Sequence, residues 1–308
     1  MSNFIIIVVC LLLGFALRRV GRFERSRVRP LNFVILWISL PALVLSELPK
    51  VFASSQALST ELVCLALMPW LVFAFTFAVA FACGRWLGWS RATVGAVTLT
   101  AGLGNTSFVG YPLIEMFYGR EALSLAIVVD QPGTFLALST VGIMVASFYS
   151  ARAISIGEAV KRMLTFPPLI AVVIAVLLAT FDVPREGLVQ SALALFGRTL
   201  VPFALISVGW QLELDRALIV PRWHQLVVAL GLKLVVSPLL AYVIFSRILE
   251  RSSLAFQVVV LEAAMAPMIT AAVVAREMEL DGDLAQLLVG LGIPLSFLTV
   301  SLWWWVLA

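Results

Sequence analysis

Four ionisable side chains, Asp130, Arg198, Lys233 and Glu262, fall deep inside long apolar stretches of this 308-residue chain. Each stands about 8 to 11 residues from the nearest end of its stretch, which at about 1.5 Å per helical residue is roughly 12 to 16 Å into a hydrocarbon core about 30 Å thick. One unpaired charge at that depth costs about 2.5 to 3.5 kcal/mol on insertion scales, so all four must pair, protonate or meet water. Two acids and two bases sum to zero, which admits structural ion pairs. The chemical reading is that Asp130 or Glu262 carries a coupling proton or helps to bind sodium, while Arg198 or Lys233 balances that charge or attracts an anion. Glu262 stands five residues before Pro267, close enough to a helix break for its carboxylate to join freed carbonyls around a cation. A hard, oxygen-lined site there suits sodium, and a desolvated carboxylate suits a proton.

The elements that would position these groups are irregular. Gly102, Gly104, Asn105, Thr106, Ser107, Gly110 and Pro112 crowd the middle of one apolar stretch. Glycine loosens a helix, proline removes a donor and obstructs a turn, and an asparagine flanked by hydroxyls is costly against lipid. An offset of about 162 residues lays this stretch on the one around Pro267, and also lays Pro132 on Pro294, Phe135 on Phe297 and Glu115 on Glu277. Leu40-Pro41 recurs as Val201-Pro202. The chain is therefore read as two copies, residues 1–150 and 165–308, joined by a cytoplasmic linker at 151–164. Two interruptions at matching places free backbone N–H and C=O groups at mid-membrane, where they are tolerated only around a cavity for substrate or ion. Gly104, Asn105, Thr106, Ser107, Pro267 and Thr270 are the expected substrate contacts. Pro41, Pro112, Pro132, Pro202 and Pro294 are read as hinges. Asp130 falls opposite Gly292 and Glu262 opposite Thr100, so the copies share a frame but not their charges.

Composition fixes the solvent. With 62% hydrophobic and 12% charged residues and a mean hydropathy of +1.07, the chain lacks the polar surface of a water-soluble globule, and the bilayer takes water's place. Ten candidate spans follow: 3–18, 31–48, 61–84, 92–117, 121–149, 165–181, 187–211, 223–246, 254–278 and 283–307, the first and sixth of them short. One set of alternate gaps holds most of the Lys and Arg, including Arg18 to Arg29, Arg85, Arg91, Arg152, Lys161, Arg162, Arg216, Arg222 and Arg276. The other holds only Lys50, Arg120, Arg185, Arg247 and Arg251. The first set is read as cytoplasmic, which places both termini outside a cytoplasmic membrane. The formal charge of +4 marks topology rather than a nucleic-acid partner. Cys10, Cys64 and Cys83 are expected as free, buried thiols. Trp86, Trp89, Trp223 and Trp303 to Trp305 read as interfacial anchors. A lone interfacial His224 reads as inert. No nucleotide loop, metal-ligand cluster or nucleophile–base pair is present, so neither an enzyme nor a resident cofactor is expected.

The run from Gly104 to Gly119, with Asn105-Thr106, then Gly110-Tyr111-Pro112-Leu113 and Tyr118-Gly119, resembles the fourth-span signature of the auxin efflux carrier family, which includes plant PIN-type carriers and bacterial organic-acid carriers. Pro267 followed by Ala275-Arg276-Glu277 resembles that family's ninth span, and the likeness in span number and order runs over the whole chain. The resemblance implies an all-α membrane protein with ten transmembrane helices as a five-plus-five inverted repeat. It also implies broken spans four and nine that cross, a scaffold and a transport domain, and a small organic anion or weak acid as substrate. Lipid is the other expected partner, a homodimer is admitted, and H+ or Na+ is the expected coupling ion if there is one. A sodium/bile-acid-like symporter, a cation/proton antiporter, and a membrane sensor or scaffold built on a transporter body are the alternatives.

Overall fold

The computed structural model describes residues 2–19, 28–53, 59–150, 164–181, 186–212 and 216–308, together with 157, 161 and 183. Most of the expected linker, including Arg152 and Arg162, lies outside the described residues, as do Arg22, Arg25, Arg27 and Arg185. Among the described residues the fold is all-helical, with no strand beyond one isolated two-residue bridge. In order come α1 (Ser2–Arg19), α2 (Arg29–Lys50), α3 (Thr60–Leu87), α4 (Arg91–Gly102), α5 (Tyr111–Tyr118), α6 (Arg120–Tyr149), α7 (Pro167–Thr180), α8 (Leu188–Gln211), α9 (Ala217–Phe245), α10 (Leu254–Ala263), α11 (Ile269–Glu277) and α12 (Gly282–Leu307).

Six of these helices, α2, α3, α6, α8, α9 and α12, are long and apolar enough to cross a bilayer unaided. They coincide with expected spans two, three, five, seven, eight and ten. The remaining expected spans are the ones the sequence marks as short or interrupted. At 12 and 10 residues, α4 and α10 reach only about 15 to 18 Å, roughly half of the hydrocarbon thickness. Each is continued, after a break, by α5 or α11.

Several prolines sit in one repeated local arrangement. Wide π-helical turns at Ile35–Ser39, Thr106–Gly110 and Leu232–Val236 each end two residues before a proline, Pro41, Pro112 and Pro238. A proline ring collides with the carbonyl four residues earlier, and a turn one residue wider relieves that collision without ending the helix. Pro132 lies within a fourth wide turn, Val129–Phe135. Pro202 follows a turn at Thr199 within α8, whereas Pro294 lies in an uninterrupted helix.

Packing separates the helices into two groups. α1 lies along the second half of α8, α7 lies along α2, and the first half of α8 also packs on α2. Ser39 and Thr199 join α2 to α8 through their hydroxyls at 2.7 Å, Ser207 and Asn32 make a second side-chain hydrogen bond between them, and the Arg18 guanidinium of α1 donates to the carbonyl of Leu212. The other helices pack among themselves, α3 on α4 and on the Pro132 turn, and α12 on α4, α9 and α11. The groups meet where α2 touches the start of α6 and where the second half of α8 touches the Thr106–Gly110 turn. Cys10, Cys64 and Cys83 are all free; Cys64 is buried as expected, whereas Cys10 and Cys83 are only half-buried.

Candidate functional site

The two interrupted helices meet at their breaks. Gly104 and Pro267 face one another in an antiparallel bridge; the Asn105 N–H donates to the Ala266 carbonyl at 2.8 Å, and the Met268 N–H donates to the Leu103 carbonyl at 3.1 Å. These bonds satisfy peptide groups that neither helix can satisfy itself, in a region where every one of residues 103–106 and 264–268 is buried. Space at Gly104 is tight: a β-carbon there would sit 3.1 Å from the Lys233 ammonium.

Both downstream half-helices begin at this crossing. Asn105 caps the first, its Oδ1 accepting from the Phe108 N–H at 3.1 Å, while Met268 starts α11 without a side-chain cap. Their first residues, Asn105, Ser107, Met268, Ile269 and Thr270, border one small cavity of about 70 Å³ together with Asp130. Two helix N-termini therefore present their partial positive charge to the same space. The Asn105 Nδ2 has no hydrogen-bond partner among the described residues, although Asn105 is only 3% exposed. Phe135 and Phe166 also line the cavity and stack with ring centroids 3.9 Å apart, one from each packing group.

Asp130 is the most heavily bonded group in the site. Its Oδ1 accepts from the hydroxyls of Thr106 at 2.5 Å and Ser107 at 2.7 Å, and its Oδ2 from the Tyr111 hydroxyl at 2.7 Å and the Gln131 amide at 2.6 Å. At 1% exposure the carboxylate binds the broken helix to α6. The wide turn around Pro132 aims it there, and the Trp70 indole of α3 holds that turn through the Pro132 carbonyl at 3.1 Å.

Glu262 and Lys233 form a second buried acid–base set at the crossing. Glu262 is fully buried and neither of its oxygens has a hydrogen-bond partner among the described residues. A β-carbon on Gly110 would stand 2.6 Å from Glu262 Oε2, so the carboxylate lies directly on the glycine backbone. The Lys233 ammonium, 1% exposed, donates to the Ala263 carbonyl at 3.1 Å, at the C-terminal and therefore electronegative end of α10. Arg198 is placed elsewhere. It is exposed on α8 and borders a separate cavity with Glu115 and Arg120, so Asp130, Lys233 and Glu262 gather at the crossing without it. Of the expected substrate contacts, Asn105, Ser107 and Thr270 reach the cavity, Thr106 is spent on Asp130, and Gly104 and Pro267 form the bridge. Tyr111 and Gln131 were not among the expected site residues; their adjacency to Pro112 and Asp130 was the available signal. Glu47, 4% exposed and paired with Lys50 and Arg120 at 2.6 and 3.2 Å, was also missed.

A family model described as membrane transport protein matches residues 1–304. The chain belongs to the membrane transport protein family. An uncharacterized transporter of Methanothermobacter thermautotrophicus is 29% identical over 96% of this chain and 95% of its own length. An uncharacterized transporter of Methanocaldococcus jannaschii is 25% identical over 100% of this chain and 98% of its own. The resemblance to auxin efflux carriers drawn from the Gly104–Gly119 run is thereby borne out, and the chain is a multi-pass membrane transport protein.

Proposed function

We propose that this membrane transport protein is a secondary carrier that moves a small organic anion or weak acid by alternating access, with the carboxylate of the substrate held at the crossing of the two broken helices. The observation that carries the reading is the convergence of two helix N-termini and an unpartnered Asn105 amide on one buried cavity, an arrangement suited to negative charge. The internal offset supports a ten-span inverted repeat around it. Gly104 is equivalent to Ala266 and Asn105 to Pro267, so the bridge pairs each residue with the neighbour of its own equivalent, as a two-fold between copies would. Gly292, the equivalent of Asp130, likewise packs on Pro267, with a β-carbon position 2.4 Å from the proline ring.

The two packing groups supply the moving parts: α1, α2, α7 and α8 as scaffold, the remainder as transport body. A cavity of about 70 Å³ is far below the roughly 300–1,000 Å³ of small-molecule sites. Loading it requires the groups to part at the Phe135–Phe166 stack. Asp130 or Glu262 is the proposed coupling carboxylate, Lys233 balances the buried acids, and both termini face the outside of the cytoplasmic membrane. Uptake of mono- and dicarboxylates into proteoliposomes under imposed proton and sodium gradients tests this. Asn105→Ala is expected to reduce uptake at least about tenfold, since it removes both the free donor and a helix cap that alone contributes about 1 kcal/mol. Glu262→Gln is expected to weaken the response to the gradient; wild-type uptake in both variants would sink the proposed site.

One observation favours a second reading, a sodium-coupled symporter: both Glu262 oxygens are buried without a hydrogen-bond partner among the described residues. A sodium-dependent rise in melting temperature that Glu262→Gln abolishes would select it.

A further inference from the structure

A second cavity, of about 490 Å³, lies between the packing groups, with walls from α1 and α8 on one side and α5 and Arg120 on the other. Its polar lining is Glu115, Arg120 and Arg198, and its apolar lining includes Ile7, Met116 and Pro202. Pro112, just past the wide turn of the broken helix, also borders it.

We propose that this cavity is an organic-anion site separate from the crossing, in which one carboxylate is held between the guanidinium groups of Arg120 and Arg198. Arg120 uses its Nε on Glu47 at 3.2 Å, while its Nη2 is buried with no partner among the described residues. Arg198 makes no hydrogen bond or ion pair among the described residues. Two guanidinium forks with donors to spare are the geometry that carboxylates satisfy best, and a buried donor without an acceptor is costly to keep. Glu47 is matched by Lys50 at 2.6 Å, so Arg120, Arg198 and Glu115 leave one positive charge at the cavity. That balance fits a monoanion, and Glu115 repels a second carboxylate. The apolar wall takes the body of the acid. The volume lies within the usual range for small ligands. A neighbouring cavity of about 560 Å³, lined by Glu47, Lys50, Arg120, Glu121 and Ser124, shares Arg120 and gives the site a charged antechamber. Because its walls belong to different packing groups, the site is remade whenever they shift. It selects and concentrates monocarboxylates next to the crossing, and in this it rests on the organic-anion reading above.

The test uses the full chain in proteoliposomes with its three cysteines replaced by alanine and Met116→Cys as a reporter on the cavity wall. Benzoate is the monoanion probe and malonate the dianion, and the rate of thiol alkylation is the readout. Benzoate is expected to slow alkylation at least about threefold, malonate less, and Arg198→Gln to abolish the protection. The same measurement in the Asn105→Ala background separates the two sites. Protection retained there supports this site even if transport is lost, whereas protection that vanishes assigns it to the crossing and overturns the proposal. If Arg198→Gln does not fold, Arg198→Lys keeps the charge but not the fork and is expected to weaken benzoate protection; full protection in Arg198→Lys, or none in the parent protein, also overturns it.

Discussion

Replacing Asp130 by leucine is expected to abolish transport and to lower the melting temperature of the detergent-solubilised protein sharply, while Asp130→Asn is expected to fold. The difference follows from the four donors that converge on this carboxylate from Thr106, Ser107, Tyr111 and Gln131. Leucine leaves all of them without an acceptor in a region closed to water. Each buried donor so stranded costs about 1–3 kcal/mol, so two that find no relief already remove about 2–6 kcal/mol from a native state typically only about 5–15 kcal/mol deep. Asparagine keeps one acceptor oxygen for the Thr106 and Ser107 hydroxyls. Its amide can then donate to a rotated Tyr111 hydroxyl and, once the Gln131 amide flips, to the Gln131 Oε1, which has no partner among the described residues of the wild type. The polar network closes again without the negative charge. Asp130→Asn therefore isolates charge from structure. Its uptake is expected to fall at least about tenfold and to stop responding to an imposed proton gradient. Wild-type uptake with an intact gradient response would move the coupling role to Glu262.

The second large effect is mechanical. A β-carbon on Gly14 would lie 2.1 Å from the Ile206 carbonyl oxygen, and one on Gly209 would lie 2.2 Å from the Leu11 carbonyl oxygen. These two glycines face one another across α1 and α8, and each obstruction is backbone, which cannot rotate aside. Alanine at either position forces the helices apart by about 1 Å, and the contact along their whole length is loosened with it. Overpacking of this kind costs about 1–3 kcal/mol. Gly14→Ala and Gly209→Ala are each expected to reduce the folded yield several-fold, and the double variant to be less than additive because both widen the same gap. Gly231→Ala is the control, since among the described residues no atom beyond its own stretch of helix lies within 4 Å of its β-carbon position. An unchanged melting temperature in Gly209→Ala would contradict the close approach.

The sequence made the breaks legible because glycine, asparagine and proline cannot hide inside an apolar run. Gly102 to Asn105 and Pro267 fall where α4 and α10 have ended. It also singled out Asp130, Lys233 and Glu262, whose burial needs nothing but depth. What it could not show is direction around a helix. Arg198 is as deep in its stretch as Lys233, yet the turn at Thr199 and the packing of α8 aim it at the gap between groups rather than at the crossing. Arg120 and Lys50 were read only as markers of topology, because pairing with Glu47 depends on which helix ends come together. The α1–α8 contact was hidden for a related reason: α1 and the second half of α8, where they touch, have almost no polar face, so no stripe identifies the packed side.

The fit of Gly292 against Pro267 has an electrical consequence. The proline ring fills the place where a carboxylate at position 292 would stand, so the acid at position 130 has no twin across the internal offset. On the proposed reading in which Asp130 carries the coupling proton, that place loads one proton per turnover, never a matched pair from the two copies, so a monoanion moved with it would cross without net charge and the vesicle would register no current.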